Sequence, residues 1–434
     1  MAGAGDADAA EVVVVGGGIA GLATALALRR AGVARHGGGG VLVLERHPEL
    51  RATGAAMTIF PNGWFALRAL GVAHKLTSRY DSYEISKVTN LETGATQVFR
   101  FAGNKDKGEE FRVRVLDRKA LLEALAEELP PGAIRFSSKL VSIDTERAAG
   151  DGSSETVVLR LDDGAVIRTK VLIGCDGVHS VVARWLGLSE PLSSGRSCVR
   201  GLSTFPDGHS LKRELRQFLS PGLRAGMVPV SDTHVYWFLI NDTIAAAEED
   251  AAGDPVKTLR EVTGNLAGGM PSEFLDVVRR SDHGNLSWAP LLYRSPVAIV
   301  TGTAAARGGA VTVAGDAFHP MTPDMAQGGC SAMEDAVVLA RALARAGSPA
   351  EGVAAYVAER RWRAAWMVAG AYLSGWVQQG GGSGANARGV RRWLVKVFRD
   401  WVFYPFVFPR LADMMWFDCG DLTACVDDGK SHTE

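Results

Sequence analysis

The sequence has few cysteines, and their spacing does not suit a metal site. Only five occur among 434 residues, and no Cys-x-x-Cys pair is present. Disulfide-stapled secreted folds usually contain an even number, and zinc sites usually use cysteines two residues apart. The pattern therefore predicts reduced thiols in a reducing compartment and no bound metal. The cysteines are Cys175, Cys198, Cys330, Cys419 and Cys425.

Net charge and unbroken apolar runs are also scarce. The formal net charge is −1 at pH 7, so no broad attraction to nucleic acid or to an anionic membrane is expected. The stretch from Val12 to Leu28 is apolar, but four glycines interrupt it, and a membrane span usually needs ~20 unbroken apolar residues. The N-terminus resembles neither a signal peptide nor a transit peptide. The cytoplasm is therefore the default expectation.

The composition is that of a globular protein, with 47% hydrophobic and 22% charged residues. Its length suggests about two or three domains. The first informative stretch, residues 11–32, reads EVVVVGGGIAGLATALALRRAG. The β-branched run is typical of a buried parallel strand, and the small residues after it predict a helix.

Three glycines in this stretch have the spacing of the dinucleotide-binding fingerprint. Such glycines allow a tight turn, close approach of a pyrophosphate, and close packing of helix on strand. The pyrophosphate would lie at the helix N-terminus, where free N–H groups favour anions. The candidate binding residues are Gly16, Gly18, Ile19, Ala20 and Gly21.

A second strand is predicted at residues 41–44, and a carboxylate follows it. Glu45 could accept hydrogen bonds from a ribose diol, and Arg46 beside it is a further candidate contact. NAD, NADP and FAD proteins share this fingerprint. These residues therefore predict a bound dinucleotide without identifying it.

Two further motifs place a turn and then a helix after an apolar strand. In VLIGCDGVHSVVARWLGL, residues 171–188, Asp176 lies in the turn, where a helix cap alone would explain it. In VAGDAFHPMTPDMAQGGC, residues 313–330, Asp316 follows a strand, and two prolines delay the next helix until Gly328. This second motif predicts another helix N-terminus with exposed amides.

Together, GGGIAG, Glu45, GCDGVHS and GDAFHPMTPDMAQGGC resemble the FAD-dependent aromatic hydroxylases of the para-hydroxybenzoate hydroxylase type, the group A flavoprotein monooxygenases. Within that type the chain is similar to plant zeaxanthin-epoxidase-like and salicylate-hydroxylase-like monooxygenases and to FAD-dependent urate hydroxylase. The resemblance extends from Glu11 to about Leu422. It implies an α/β fold with a Rossmann-like GxGxxG FAD-binding domain, a mixed β-sheet substrate domain and C-terminal helices.

The resemblance also implies domain limits. The FAD-binding domain would be discontinuous and comprise residues 8–85, 110–190 and 295–380. The substrate domain would comprise residues 86–109 and 191–294. A C-terminal helical segment would span residues 385–434.

At the flavin, the resemblance implies that Asp316 binds the ribityl chain. The amides of Gly328, Gly329 and Cys330, beside Gln327, would face the pyrimidine edge. A helix N-terminus there would stabilise the negative charge of reduced flavin.

Elsewhere on FAD, the resemblance implies contacts of Arg118 with the phosphates, of the Leu140 backbone with adenine, and of Thr58 with the cofactor. Asp176 would lie between FAD and a nicotinamide donor. An ordinary helix-start arginine and a threonine in an apolar turn remain the alternatives for Arg118 and Thr58.

At the substrate, the resemblance points to a hairpin predicted over residues 222–240. Arg224 and Tyr236 match the substrate-contacting arginine and tyrosine of urate hydroxylase. Their alternatives are a strand-surface arginine and a core aromatic residue. Pro323 would stand beside the substrate, and His319 would lie near the flavin, in an orienting role rather than as a base.

Two residues depart from the family pattern. Many members have asparagine where Cys330 stands, although the plant branch resembles the GGC found here. Ala326 stands where these proteins usually have glycine, so we expect it either to crowd the flavin loop or to adopt a negative φ.

Aromatic residues are concentrated near the C-terminus, in RRWLVKVFRDWVFYPFVF, residues 391–408. One interpretation is an amphipathic helix at a membrane surface. The other, which we favour, is a helix packed across the domains, because the run is short and Pro405 should break it.

The expected activity follows from the resemblance. NAD(P)H would reduce FAD, O₂ would form a flavin C4a-hydroperoxide, and one oxygen atom would enter a small aromatic or conjugated-ring substrate. An epoxidase of a larger terpenoid and a non-catalytic FAD-binding carrier are the alternatives. The substrate, the choice between NADH and NADPH, and the oligomeric state stay open.

Overall fold

A computed structural model describes residues 8–33, 40–51, 56–101, 108–147, 155–242, 254–267, 269–302, 309–380 and 390–422. Residues 385–389 and 423–434 of the predicted C-terminal segment, with Cys425, lie outside the described residues. The other four cysteines are free and buried.

The fingerprint strand lies inside a seven-stranded sheet. Its strands are β1 (Asp8–Val15), β2 (Val41–Leu44), β7 (Ile134–Arg135), β8 (Leu140–Arg147), β9 (Glu155–Leu161), β10 (Val166–Gly174) and β16 (Val311–Val313). The order β7-β2-β1-β10 is parallel, and β16 pairs in parallel with the last residues of β10. β9 pairs antiparallel with the first part of β10, and β8 pairs antiparallel with β9. The central strands are buried on both faces, as in doubly wound folds.

A second seven-stranded sheet is mixed, as predicted. Its strands are β4 (Ile85–Asn90), β5 (Thr96–Arg100), β11 (Leu192–Thr204), β12 (Leu215–Ser220), β13 (Leu223–Pro229), β14 (His234–Asp242) and β15 (Ser287–Tyr293). The order is β15-β11-β14-β13-β12-β4-β5, and β12 and β4 form its parallel pair. β13 and β14 form the predicted hairpin. A small ribbon joins β3 (Ala56–Ile59) to β6 (Arg114–Asp117).

The helices cover the faces of the first sheet and one side of the second. They span Ile19–Arg30, Pro61–Ala69, Ala73–Thr77, Arg118–Ala126, Val181–Leu186, Pro255–Glu261, Ser272–Arg279, Pro296–Thr301, Gly328–Arg345, Pro349–Gln378, Val390–Phe398 and Phe408–Asp413. Helix Gly328–Arg345 packs directly on helix Ile19–Arg30. The two predicted helix N-termini therefore belong to neighbouring helices.

Two main cores hold these layers together. The larger one includes the fully buried Val13, Val14 and Leu172 and joins the parallel sheet to its helices. The smaller one packs Trp237 of the second sheet against Phe274 of helix Ser272–Arg279. The α/β fold with a mixed second sheet is thereby confirmed, whereas the domain limits stay a prediction.

The C-terminal segment packs on the body of the protein, in line with the interpretation that we favoured. Val395, Phe403 and Leu411 are buried, and Phe403 and Leu411 pack against helix Pro349–Gln378. Pro405 does not break the helix, because the chain continues through wider π-helical turns from Arg399 to Val407. Among the described residues, no helix combines the length and apolarity needed to cross a membrane.

Candidate active site

A cavity of about 900 Å³ is lined by the second sheet, by the loops and helix starts that follow β1, β10 and β16 of the first sheet, and by the C-terminal segment. It brings together eleven of the residues predicted from the sequence. These are Gly18, Ile19, Ala20, Thr58, Arg118, Arg224, Tyr236, Asp316, Pro323, Gly328 and Gly329.

The three fingerprint glycines meet different surroundings. Gly16 has a φ of +106°, and a Cβ there would lie 2.4 Å from the carbonyl oxygen of Cys175. A Cβ at Gly21 would lie 1.8 Å from the carbonyl oxygen of Gly16. A Cβ at Gly18 would meet nothing within 4 Å, because this residue borders the cavity. Gly16 and Gly21 thus serve the fold, and Gly18 leaves room for a ligand.

Glu45 follows β2 and is buried beside the fingerprint. Its Oε2 accepts a 2.7 Å hydrogen bond from the Gly17 amide, and its Oε1 accepts one of 2.9 Å from the His47 amide. Each carboxylate oxygen keeps a second acceptor site that a ribose hydroxyl could use. Arg46 is exposed outside the cavity lining, and its Nε donates to His47 Nε2 at 3.2 Å.

The second helix N-terminus meets a carboxylate at the cavity. Asp316 is exposed there, on a short turn that follows β16. A Cβ at Gly328 would lie 3.7 Å from Asp316 Oδ1, so the carboxylate and the helix start are neighbours. No side chain caps this helix. Its first amides and its dipole are therefore positioned to favour an anionic or electron-rich group.

Two arginines present unpartnered nitrogens at this cavity. Among the described residues, the buried Nε atoms of Arg118 and Arg200 make no hydrogen bond. Burial lowers the pKa of Arg118, against the opposing charge of Asp316. Buried donors without acceptors are rare in proteins, so this end of the cavity fits a group rich in oxygen acceptors, as the phosphates of FAD are.

Sequence reasoning missed Arg200. The available signal was a single charged residue inside the apolar run CVRGL of β11. Nothing in that run predicts which cavity the arginine faces.

Arg224 is buried rather than on a strand surface. Its Nη1 donates to Asp324 Oδ1 at 2.9 Å, and its Nη2 donates to Gln217 Oε1 at 2.7 Å. Arg196 holds the same carboxylate at 2.8 Å. Two guanidinium groups thus share one carboxylate, and these three side chains together have a formal charge of +1.

Tyr236 also faces the cavity. Burial raises its pKa to about 12, against the opposing charge of Arg200. The phenol is therefore neutral at physiological pH and can donate a hydrogen bond.

His319 lies behind the cavity and not in its lining. It is fully buried, and its Nε2 lies 2.6 Å from Asp335 Oδ2. This carboxylate also accepts a hydrogen bond from the Gly315 amide at 2.8 Å. His319 therefore contacts Asp335 and not the cavity, and its orienting role stays a prediction.

Two other candidates, Asp176 and Leu140, also contact protein rather than cavity. Asp176 Oδ2 accepts a 2.7 Å hydrogen bond from the Val181 amide, as a helix cap would, while its buried Oδ1 has no hydrogen-bond partner in the described part of the chain. Burial raises the pKa of Asp176, and the hydrogen bond from Ser180 opposes that rise. Leu140 is buried in β8.

Two further candidates precede or open helix Gly328–Arg345 and are buried. Gln327 Oε1 accepts a 2.8 Å hydrogen bond from Asn62. Burial raises the pKa of the Cys330 thiol to about 12, so this cysteine is not a nucleophile at neutral pH.

A buried ion network lies along helix Gly328–Arg345, outside the cavity lining, and no motif predicted it. Arg360 donates to Asp335 at 2.7 Å and to Glu334 at 2.5 Å, and Arg363 donates to Glu334 at 2.6 Å. All of the Arg360, Glu334 and Asp335 side chains are fully buried. The network joins the helix that faces the cavity to helix Pro349–Gln378.

Ala326 corrects one expectation. It has a φ of +52°, in the left-handed region, and not the negative φ expected for alanine. Ala326 ends the turn Pro323–Met325 and lies two residues before the start of helix Gly328–Arg345. The loop therefore keeps the backbone shape that glycine would favour and accepts local strain.

Comparison with known proteins agrees with this geometry. The family model described as "FAD binding domain" matches residues 9–259 and 298–371. Monooxygenase 2 of Arabidopsis thaliana is 37% identical over 430 residues, covering 95% of this chain and 98% of that protein. Aurachin C monooxygenase/isomerase of Stigmatella aurantiaca is 30% identical and covers 85% of this chain and 89% of its own length.

The fold has solved counterparts. Klebsiella pneumoniae HpxO, in a crystal structure with FAD and uric acid, is similar with a TM-score of 0.75 and 22% identity, over 94% of this chain and 96% of that one. The chain belongs to the FAD binding domain family of FAD-dependent monooxygenases, as the fingerprint, the Asp316 motif and the helix start at Gly328 predicted.

Proposed function

We propose that the protein uses FAD and NAD(P)H to insert one oxygen atom from O₂ into a small aromatic or conjugated-ring substrate. The observation that carries this proposal is the continuity of the cavity. Gly18, Asp316 and Gly328 line the same cavity as Arg224 and Tyr236. We assign the cofactor to the part lined by the first three residues and the substrate to the part lined by the other two.

FAD, when bound, supplies the redox and oxygen-activating chemistry. The chain itself would position its partners. Arg118 and the start of helix Gly328–Arg345 suit the phosphates and the electron-rich edge of the ring system, respectively. Asp316 suits hydroxyl donors of the ribityl chain.

The substrate part of the cavity has an aromatic wall. Phe101 makes edge-to-face contacts with Phe60 at 5.8 Å and with Tyr83 at 5.6 Å between ring centroids. Phe238 lines the same cavity. Such a wall excludes water and favours a flat apolar ring.

Polar groups would orient that ring. The Arg196–Asp324–Arg224 cluster has a charge of +1, and Tyr236 is a neutral donor. This pair of features suits a ring that carries a phenolate, carboxylate or oxo group. Pro323 precedes Asp324 and would fix the position of that carboxylate.

We continue to expect a cytoplasmic location.

The test is anaerobic reduction of the FAD-loaded protein by NADPH and by NADH, with a panel of phenols, purines and carotenoids. We expect one ring compound to accelerate reduction and to give a product with one added oxygen atom under air. Arg224→Gln should weaken this effect, whereas Arg216→Gln, on the neighbouring strand and paired with Glu273, should not. If only a carotenoid is effective, the small-ring proposal is wrong. If neither nicotinamide reduces the flavin, the NAD(P)H proposal is wrong.

A further inference from the structure

The C-terminal segment, residues 390–410, exposes an unusual amount of apolar surface. Trp393, Leu394, Trp401, Val402 and Phe406 are between 41% and 73% exposed. Soluble proteins rarely expose large aromatic side chains so close together without a binding partner.

The same segment is anchored to the body of the protein. Its Phe403 is fully buried, and Phe403 contacts the core formed with Met367 and Ala371 of helix Pro349–Gln378. The exposed side chains therefore belong to a segment with one packed side. A segment held in this way keeps its apolar side chains at the surface.

Its charge indicates what covers those side chains. Residues 390–410 read VRRWLVKVFRDWVFYPFVFPR, with five basic residues and one acidic residue, a net charge of +4 in a chain whose net charge is −1. Exposed tryptophan interleaved with basic residues is typical of segments that lie in the headgroup region of a bilayer. Anionic lipid headgroups complement this charge.

We propose that residues 390–410 dock the protein on the surface of an anionic lipid bilayer, without crossing it. Trp393, Trp401 and Phe406 enter the headgroup region, and Lys396, which is exposed, contacts lipid phosphates. Phe408, two residues beyond Phe406, lines the cavity together with Leu411. Docking therefore brings the wall of the cavity next to the bilayer, whichever substrate the protein uses.

The test is flotation of the full-length protein with phosphatidylcholine vesicles and with vesicles that also contain phosphatidylserine. We expect binding to the anionic vesicles that weakens at high salt. Lys396→Glu should lower the affinity for anionic vesicles by about tenfold, because each basic group near the surface contributes. Trp401→Ser should lower it by a similar factor, ~10-fold, through lost apolar burial.

Trp362→Ser is the matched control, because Trp362 is 58% exposed on helix Pro349–Gln378, outside the segment. It should bind as the unmodified protein does, and melting temperatures should show that all three variants are folded. Absence of binding to anionic vesicles, or equal binding to neutral ones, would overturn the proposal. So would equal losses for Trp362→Ser and Trp401→Ser. A dimer that Trp401→Ser dissociates would assign the surface to a second copy of the chain instead.

Discussion

The buried interior along helix Gly328–Arg345 and the cavity at the start of this helix use charge in opposite ways. In the interior, Glu334 and Asp335 are fully buried and hydrogen-bonded to Arg360. At the cavity, Asp316 is exposed, and the Nε atoms of Arg118 and Arg200 have no hydrogen-bond partner among the residues that the structure describes. The satisfied network stabilises the fold, whereas the unsatisfied groups are placed for a ligand. Substitutions in the two regions should therefore separate stability from cofactor affinity.

The largest effect is expected inside the network. Arg360→Ala leaves two buried carboxylates short of a partner and should lower the free energy of unfolding by about 3–5 kcal/mol. Urea denaturation measures this, and Arg360→Lys, which keeps a charge, should lose less. The adjacent Arg361→Ala, outside the network, should change stability by less than about 0.5 kcal/mol. Equal effects of Arg360→Ala and Arg361→Ala would contradict a structural role for the network.

Two fingerprint glycines should also differ in this way, because Gly21 affects stability and Gly18 affects cofactor affinity. Gly21→Ala places a Cβ against the Gly16 carbonyl oxygen and should destabilise the protein by up to about 3 kcal/mol. Gly18→Ala meets no atom, so the fold should tolerate it while the affinity for FAD falls. Denaturation and flavin-fluorescence titration of both variants test this. If Gly18→Ala binds FAD normally, the predicted approach of the pyrophosphate is wrong.

The stability that the buried ion network contributes should be lost in acid and kept near neutral pH. Burial opposes ionisation of Asp335, but the charges of His319 and Arg360 hold its pKa at about 2, below the ordinary 3.8. A depressed carboxyl pKa contributes stability above its unfolded value, which is lost as pH falls through the folded value. Stability should thus decrease by about 2 kcal/mol between about pH 4 and pH 2. Urea midpoints across this window should fall less steeply for Asp335→Asn than for the unmodified protein.

Arg118→Met tests the charges at the cavity, where we expect a loss of cofactor affinity with little loss of stability. It should raise the FAD dissociation constant by ~10–100-fold, since charge-assisted contacts to a phosphate are lost. Stability without cofactor should change by less than about 1 kcal/mol, because the buried Nε that is removed has no hydrogen-bond partner within the described ranges. Lys119→Met changes an exposed neighbour and serves as the control for isothermal titration. A large loss of stability for Arg118→Met would mean that Arg118 stabilises the fold, as Arg360 does.

The smallest effect concerns Ala326. Ala326→Gly relieves a φ of +52° and should stabilise the protein by about 1 kcal/mol. Ala355→Gly, at an exposed position inside helix Pro349–Gln378, should cost about 1 kcal/mol. Thermal unfolding of the two variants should therefore shift in opposite directions. A destabilised Ala326→Gly would mean that the methyl group contributes packing that exceeds its backbone strain.

Much of the fold was accessible from the sequence. The strand at Val41–Leu44, the end of β10 at Gly174, the hairpin and the helix start at Gly328 lie where they were predicted. Each depends on local backbone chemistry, such as β-branched residues, glycines with special φ values, and prolines. The candidate cofactor groups around Gly18 and Asp316 follow from the same local rules.

Long-range pairing decided the rest. Arg224 meets Asp324, 100 residues away, and Arg196 meets the same carboxylate across 128 residues. His319 was placed near the flavin by its motif, but its pairing with Asp335 turns it away from the cavity lining. The helical continuation through Pro405 and the exposure of Trp401 likewise depend on which side of the segment packs.

By itself, the sequence determined the family, the fingerprint and the two helix N-termini, because these depend on steric and hydrogen-bonding rules that act within a few residues. Only the tertiary structure decided which charges are paired and which are left for a ligand. Burial and Coulomb energy depend on neighbours that the chain brings together from distant positions. Arg360 and Arg118 are both arginines near the start or middle of a helix, and their surroundings alone make one structural and the other available for binding.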